Sequence, residues 1–263
     1  MRQLRAFTII ELIVVLAIIA LVASLLLPAL ASSRRGALAA KCLANMRNLE
    51  LAHFAYATDN DGLFIDAGLP HGGLASEDVA WINTLQSYYG NKLVLRSPAD
   101  LSRHWPADVP GAGVPVPGST DRFRRTSYGI NNYLSRNYSP TAALNAGAAA
   151  DRLSRVTDPS NTVHFLIMTF TGQFAGSDHV HAEEWWNAAA GANFAPVQAA
   201  SQCQTNAHGG PEKSSGSRSN WSFVDGHVET AVFGEVYLDQ SNLNRFDPDV
   251  SKFYAARRAH KQQ

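Results

Sequence analysis

The stretch DHVHAEEWW brings together Asp178, His179, His181, Glu183 and Glu184, all donor types that bind divalent metals. On an extended strand alternate side chains share a face, so His179 and His181, with Glu183, make a candidate metal set. The spacing matches no metallohydrolase signature such as HExxH, and on a surface loop the same side chains are satisfied by water. A second grouping is His208, Asp225 and His227, although Asp225-Gly226 is equally a hairpin turn. No Gly-rich phosphate loop, Gly-x-Ser-x-Gly elbow or Cys–His signature occurs. Neither a catalytic residue nor a cofactor is therefore expected. Trp185 and Trp186 are either an aromatic pair for a partner or glycan, or core. Cys42 and Cys203 suffice for one disulfide in an oxidising compartment, not for a disulfide framework.

The most informative ionisable residue is Glu11. From Phe7 to Leu30 the chain is apolar apart from Thr8, Glu11 and Ser24. As a helix this stretch spans the hydrocarbon core of a bilayer, at about 1.5 Å per residue. Arg2 and Arg5 with Ala29-Leu30-Ala31 fit a cleaved secretory signal, except that the apolar region is long and carries a carboxylate. A plain single-span anchor tolerates a carboxylate near its end. Basic residues on both sides (Arg2 and Arg5 against Arg34, Arg35 and Lys41) leave its orientation open.

AFTIIELIVVLAIIALVASLLLPAL closely resembles the amino-terminal signal of type IV prepilins and type II secretion pseudopilins. The resemblance implies a leader at 1–6, cleavage by a prepilin peptidase between Ala6 and Phe7, and methylation of the new Phe7 amine. It makes Glu11 the family's glutamate and Pro28 its helix-kinking proline. A charge in lipid is costly, so pairing Glu11 with the Phe7 amine of a neighbouring subunit would set filament register. The chain departs from the family at Ala6, where Gly is usual.

These residues need elements to position them. Leu38, Cys42, Met46, Leu49, Ala52, Phe54 and Tyr56 continue a helical pattern beyond the membrane segment. The reading is one long helix from about Phe7 to about Ala57, stopped at Asp59-Asn60-Asp61-Gly62. The DNDG stretch lacks the ligand positions of an EF-hand. Ala80–Gly90 reads as a short helix, 106–119 as a Pro/Gly-rich loop, Ser127–Leu134 as a short strand or turn, and Thr162–Phe170 as a buried strand. In Asn220–Phe233, a two-residue Asp225-Gly226 turn would pair Phe223 with Val228 and Trp221 with Thr230. Trp221, Phe223, Val228 and Val232 would then share a face. The tail from Asp239 ends in a basic ARRAHKQQ.

The head carries five short stretches in order: CLANMRNLELAHFAYATDNDG, RSPAD, SYGIN, DPSNTVHF and a final His…DGHV. Together they resemble pseudopilins with an H-X9-DG carboxy-terminal motif, which makes His208, Asp225, Gly226 and His227 the family positions. Here 16 residues separate His208 from Asp225, with the excess placed in the Gly/Ser-rich GPEKSSGSRS as a flexible insertion. Ser97 stands where relatives often have Cys, leaving Cys203 as the substitute partner for Cys42.

The chain has 263 residues, 46% of them hydrophobic, with 22 basic and 22 acidic. That balance argues against a nucleic-acid partner. The expected fold is α+β: one long N-terminal α-helix packed on a small antiparallel sheet head with long loops. The expected domains are the 1–6 leader, a 7–30 transmembrane and assembly helix, and a 31–263 periplasmic globular domain that includes the second half of the helix. The expected function is that of a structural subunit, a pseudopilin or minor pilin. Its partners would be prepilin peptidase, other pilin or pseudopilin subunits, the inner-membrane assembly platform and membrane lipid. The alternatives are a filament-tip binding module for a substrate, glycan or metal, and an anchored or secreted hydrolase.

Overall fold

The computed structural model describes residues 8–70, 77–90, 95–140, 149–187, 189–191, 193–239 and 243–251. Ala6, Phe7, the leader and the ARRAHKQQ tail lie outside them. Helix α1, Ile9–Asp59, runs 51 residues without interruption, about 77 Å at the standard rise. Thr8 caps its start, and the chain leaves it where Asp61 and Gly62 take positive φ, with the Gly62 N–H on the Ala57 carbonyl at 2.8 Å. Left-handed residues just past the last turn are the usual way a helix stops. The DNDG stretch therefore acts as a helix stop.

Five strands form the head sheet in the order β3-β1-β2-β4-β5. They are β1 (Tyr128–Asn131), β2 (Val163–Ile167), β3 (His179–Val180), β4 (Arg218–Phe223) and β5 (Val228–Val232). All neighbours are antiparallel except β1 and β3, which are parallel. Strand β2 is central and buried at every position, as its continuous β-branched and aromatic run requires. Two short strands, β6 (Tyr237–Asp239) and β7 (Leu243–Asn244), form a separate ribbon. The second half of α1 covers one face of the sheet, burying Cys42, Met46, Leu49 and Ala52 with Tyr128, Ile130, Phe165 and Ile167. The opposite face packs Val163, Leu166, Trp221 and Phe223 with Trp185, Phe233, Phe246 and helix α2 (Phe194–Gln202). This is the expected α+β architecture of a long helix on a sheet head.

Four local expectations need correction. The segment at 80–90 is two single-turn helices, Trp81–Thr84 and Gln86–Tyr89, broken at Leu85. The β4–β5 hairpin has a three-residue loop. Gly226 N–H closes a turn onto the Phe223 carbonyl at 2.7 Å, Phe223 N–H pairs with the His227 carbonyl, and Gly226 alone in the loop has positive φ, +85°. A type I′ turn needs positive φ at both central residues, whereas a turn followed by one left-handed glycine gives the three-residue form. The register therefore moves by one, to Ser222↔Val228, Trp221↔Glu229 and Asn220↔Thr230. Since a one-residue slip exchanges faces, Val228 parts from Trp221 and Phe223. It lies on the α1 side, while the two aromatics lie on the other.

The third correction concerns the cysteines. Cys42 and Cys203 are both free and buried, one in each core, on opposite faces of the sheet. They cannot pair across it. The fourth concerns GPEKSSGSRS, which folds as a hydrogen-bonded loop. Ser217 Oγ donates to the Pro211 carbonyl at 2.6 Å, and Ser214 N–H donates to Ser217 Oγ at 3.2 Å.

Candidate functional site: the two halves of the long helix

None of the described residues of the head covers the first half of α1. Every residue from Ile9 to Leu30 is exposed, with Ile9 at 76% and Leu30 at 67%. Among the described residues this is the one helix long and apolar enough to cross a membrane. Twenty-two residues extend about 33 Å, close to the roughly 30 Å hydrocarbon core. At its start Thr8 and Glu11 form a capping box. Thr8 Oγ1 accepts from Glu11 N–H at 3.2 Å, and the Glu11 carboxylate accepts from Thr8 N–H at 2.8 Å. Glu11 thus satisfies one of the helix's free donors at its own N-terminus. Pro28 lies within the helix, which continues through it. Having no N–H, it leaves the Ser24 carbonyl without its usual helical donor.

The second half of α1 docks through polar as well as apolar contacts. Arg47 donates to the Gly226 carbonyl, so the Asp225-Gly226 turn rests directly on the helix. A Cβ on Gly226 would stand 2.7 Å from Phe54 and 2.9 Å from the Arg47 guanidinium. Only glycine permits both the close approach and the positive φ. The turn is braced within itself by Asp225 Oδ1 on His227 Nδ1 at 2.6 Å, and by His227 stacked on Phe223 with centroids 4.3 Å apart. Burial pushes the Asp225 carboxyl up, but hydrogen bonds from His227 outweigh it, and the net shift is downward. Asp225 N–H and Val224 N–H also donate to the Pro159 and Thr162 carbonyls, which ties DPSNT to the turn. Asn220 on β4 donates to the Ala39 carbonyl at 3.1 Å.

Beneath this lies a buried polar cluster that apolar patterning could not find. Glu50, His53 and His164 are at most 1% exposed. His164 Nδ1 lies 2.9 Å and 3.0 Å from the two Glu50 oxygens, Ser222 Oγ donates to Glu50 Oε1 at 2.5 Å, and His53 Nδ1 is 3.8 Å from Glu50 Oε2. The imidazoles of His53 and His164 are 4.3 Å apart. Burial alone would raise the Glu50 carboxyl, but the adjacent His164 and His53 bring it down to about 2. His53 is lowered to about 4, by burial first and by the His164 charge second. The sequence does carry a signal: Glu50 and His53 are three apart, hence neighbours on one helix face. A β-bulge supplies the third member. Between the pairs Val163↔Phe223 and Leu166↔Trp221, β2 holds one residue more than β4. That irregularity turns both His164 and Phe165 toward α1.

The motif residues of the head are structural. Asp100 of RSPAD forms a fully buried ion pair with Arg124 at 2.8 Å and accepts from Ser127 Oγ of SYGIN at 2.5 Å. Arg124 also donates to the Met168, Thr169 and Ala175 carbonyls. Ser97 Oγ lies 3.4 Å from Cys42 Sγ. Burial pushes both thiols up, which suits inert core groups.

The sequence-derived site residues separate into groups. His179 Nδ1 faces Asp178 at 3.0 Å, whose carboxylate also accepts from Gly68 and Leu69 N–H, the latter at 3.0 Å. His181 faces Glu183 at 3.2 Å, and Glu183 also accepts from Asn132 at 2.7 Å. Each histidine pairs with its own carboxylate through Nδ1, and among the described residues His179, His181 and Glu183 do not bring three ligand atoms within 4.8 Å of one another. Among the described residues the donors that do converge are Glu50, His53 and His164. His208 is likewise separated from Asp225 and His227. Its N–H bonds to the Arg218 carbonyl at the start of β4, while the turn lies beyond the far end of that strand. Trp185 is completely buried against Phe233, Tyr237 and Phe246, which is the core alternative for that residue.

Residues 1–27 match the family model described as the prokaryotic N-terminal methylation motif. The match supports a type IV prepilin or pseudopilin-type signal. Neither a curated protein nor a solved structure matches the chain.

Proposed function

We propose that the chain is the precursor of a pseudopilin or minor pilin. It is inserted in the inner membrane with its head in the periplasm, cut between Ala6 and Phe7, and assembled through α1 into a type II secretion or type IV pilus filament. The observation that carries this reading is the division of one unbroken helix into two halves of different character. The half preceding Leu30 has no partner among the described residues of its own subunit, and the half beyond Leu38 is fastened to the sheet by the Asp225-Gly226 turn, Asn220 and the apolar core. In a filament the bare half packs against copies of itself, and the fastened half transmits to the head whatever displacement the helices undergo. The protein's work is then mechanical, performed with prepilin peptidase, fellow subunits and the assembly platform as partners.

The role of Glu11 separates assembly from anchoring. Gln at the third helical position still completes a capping box but carries no charge. Glu11→Gln should therefore leave helix content and membrane insertion intact while sharply reducing incorporation into sheared or cross-linked filaments. Thr8→Ala, which removes the cap and keeps the charge, should cost about 1 kcal/mol of local helix stability and leave incorporation largely intact. Normal incorporation of Glu11→Gln would refute the pairing of Glu11 with a neighbour's amine.

A further inference from the structure

We propose that Glu50, His53 and His164 bind one divalent transition-metal cation, zinc by ligand class, which ties the second half of α1 to the central strand β2. One ligand atom from each residue lies within 4.8 Å of the others. Zinc holds nitrogen and oxygen donors at about 2.0–2.1 Å, which sets the edges of its tetrahedron at roughly 3.3 Å. The separations from Glu50 Oε2 to His164 Nδ1 and His53 Nδ1, 2.9 and 3.8 Å, straddle that value.

The hydrogen-bond inventory points the same way. Neither nitrogen of His53 has a hydrogen-bond partner. Buried polar atoms are nearly always satisfied, so an imidazole with both nitrogens unpartnered needs an explanation. His53 sits among Phe54, Phe64 and His164, where an apolar side chain would fill the space without that cost. Coordination uses the nitrogen that faces Glu50. The carboxylate is held from its other side by Ser222 Oγ, the kind of support that orients a metal ligand. The bulge in β2 aims His164 at the same point. With all three side chains essentially inaccessible, no substrate reaches the cation, so its role is architectural. A site closed in the folded head loads as the head folds, and metal binding then adds to folding stability.

The test uses full-length, untagged protein in detergent, unfolded and refolded with zinc or cobalt(II) in excess and then dialysed. One equivalent of metal, the visible absorption of bound cobalt and a higher melting temperature than the chelator-refolded protein are expected. Glu50→Gln and His53→Gln should fall to background metal, and the double variant His179→Gln/His181→Gln should retain its equivalent. Folded wild type that carries no metal above background overturns the proposal, and requires no variant to fold. Metal that stays in His53→Gln, or that leaves with His179 and His181, overturns it equally. None of these outcomes bears on cleavage before Phe7, so the assembly reading stands or falls separately.

Discussion

Gly226 concentrates two demands in one residue, a φ of +85° and contact with Phe54 and Arg47. Gly226→Ala meets both penalties. Left-handed backbone costs an L-residue about 1–2 kcal/mol, and the Cβ must displace the helix side chains besides. Chemical denaturation should show a loss of at least about that size. Equal stability of Gly226→Ala and wild type would mean that the turn does not bear on the helix. Asp100 and Arg124 make the complementary case. Removing one partner of a fully buried pair strands the other charge, so Asp100→Ala should cost about 3–5 kcal/mol, measurable in the same titration. The importance of Gly226 was legible because Asp-Gly between strands announces a turn. Glu50 and His53 were not legible, because a pattern read by counting apolar residues passes over charged ones, even when they occupy the buried stripe.

At the level of elements, the long helix and the central strand could be read directly, since each is a sustained pattern with a clear stop. The hairpin register could not. Asp-Gly fits both two-residue and three-residue loops, and the choice between them depends on which face of β4 the helix covers. His208 reports on the start of that strand. Burial lowers its imidazole to about 4 and leaves Nε2 without a partner, against an unfolded value near 6.5. Between those two pH values the unfolded chain binds a proton that the native head excludes. Its contribution to stability is therefore complete above about pH 6.5, falls as pH drops toward 4, and levels off below. His208→Gln should flatten the melting-temperature profile in that window; an unchanged slope would assign the acid sensitivity to other groups. A second element-level prediction follows from Ser97 Oγ lying 3.4 Å from Cys42 Sγ. Ser97→Cys should oxidise to a disulfide linking α1 to the RSPAD loop, raising the melting temperature by an amount that reductant removes. Three thiols still titratable after oxidation, where the disulfide leaves only Cys203, would contradict the geometry.

Taken whole, the molecule is an asymmetric device in which one helix belongs to two environments. Its apolar half was evident from sequence as an unbroken apolar run, and the structure leaves that run exposed. The division of labour in the head was hidden, because paired carboxylates and histidines close together in sequence invite a metal site. Three-dimensional packing instead gave those groups to one another and assembled a different cluster from residues 50, 53 and 164. The central claim is that α1 is an assembly helix released by cleavage, and the residue at the amino terminus of the mature protein tests it most directly. Mass spectrometry of protein recovered from membranes that contain a prepilin peptidase should find N-methylphenylalanine at position 7, with Ala6→Gly processed at least as fast. A chain beginning at Ser32, or one that retains Met1 in the presence of the peptidase, would contradict the account.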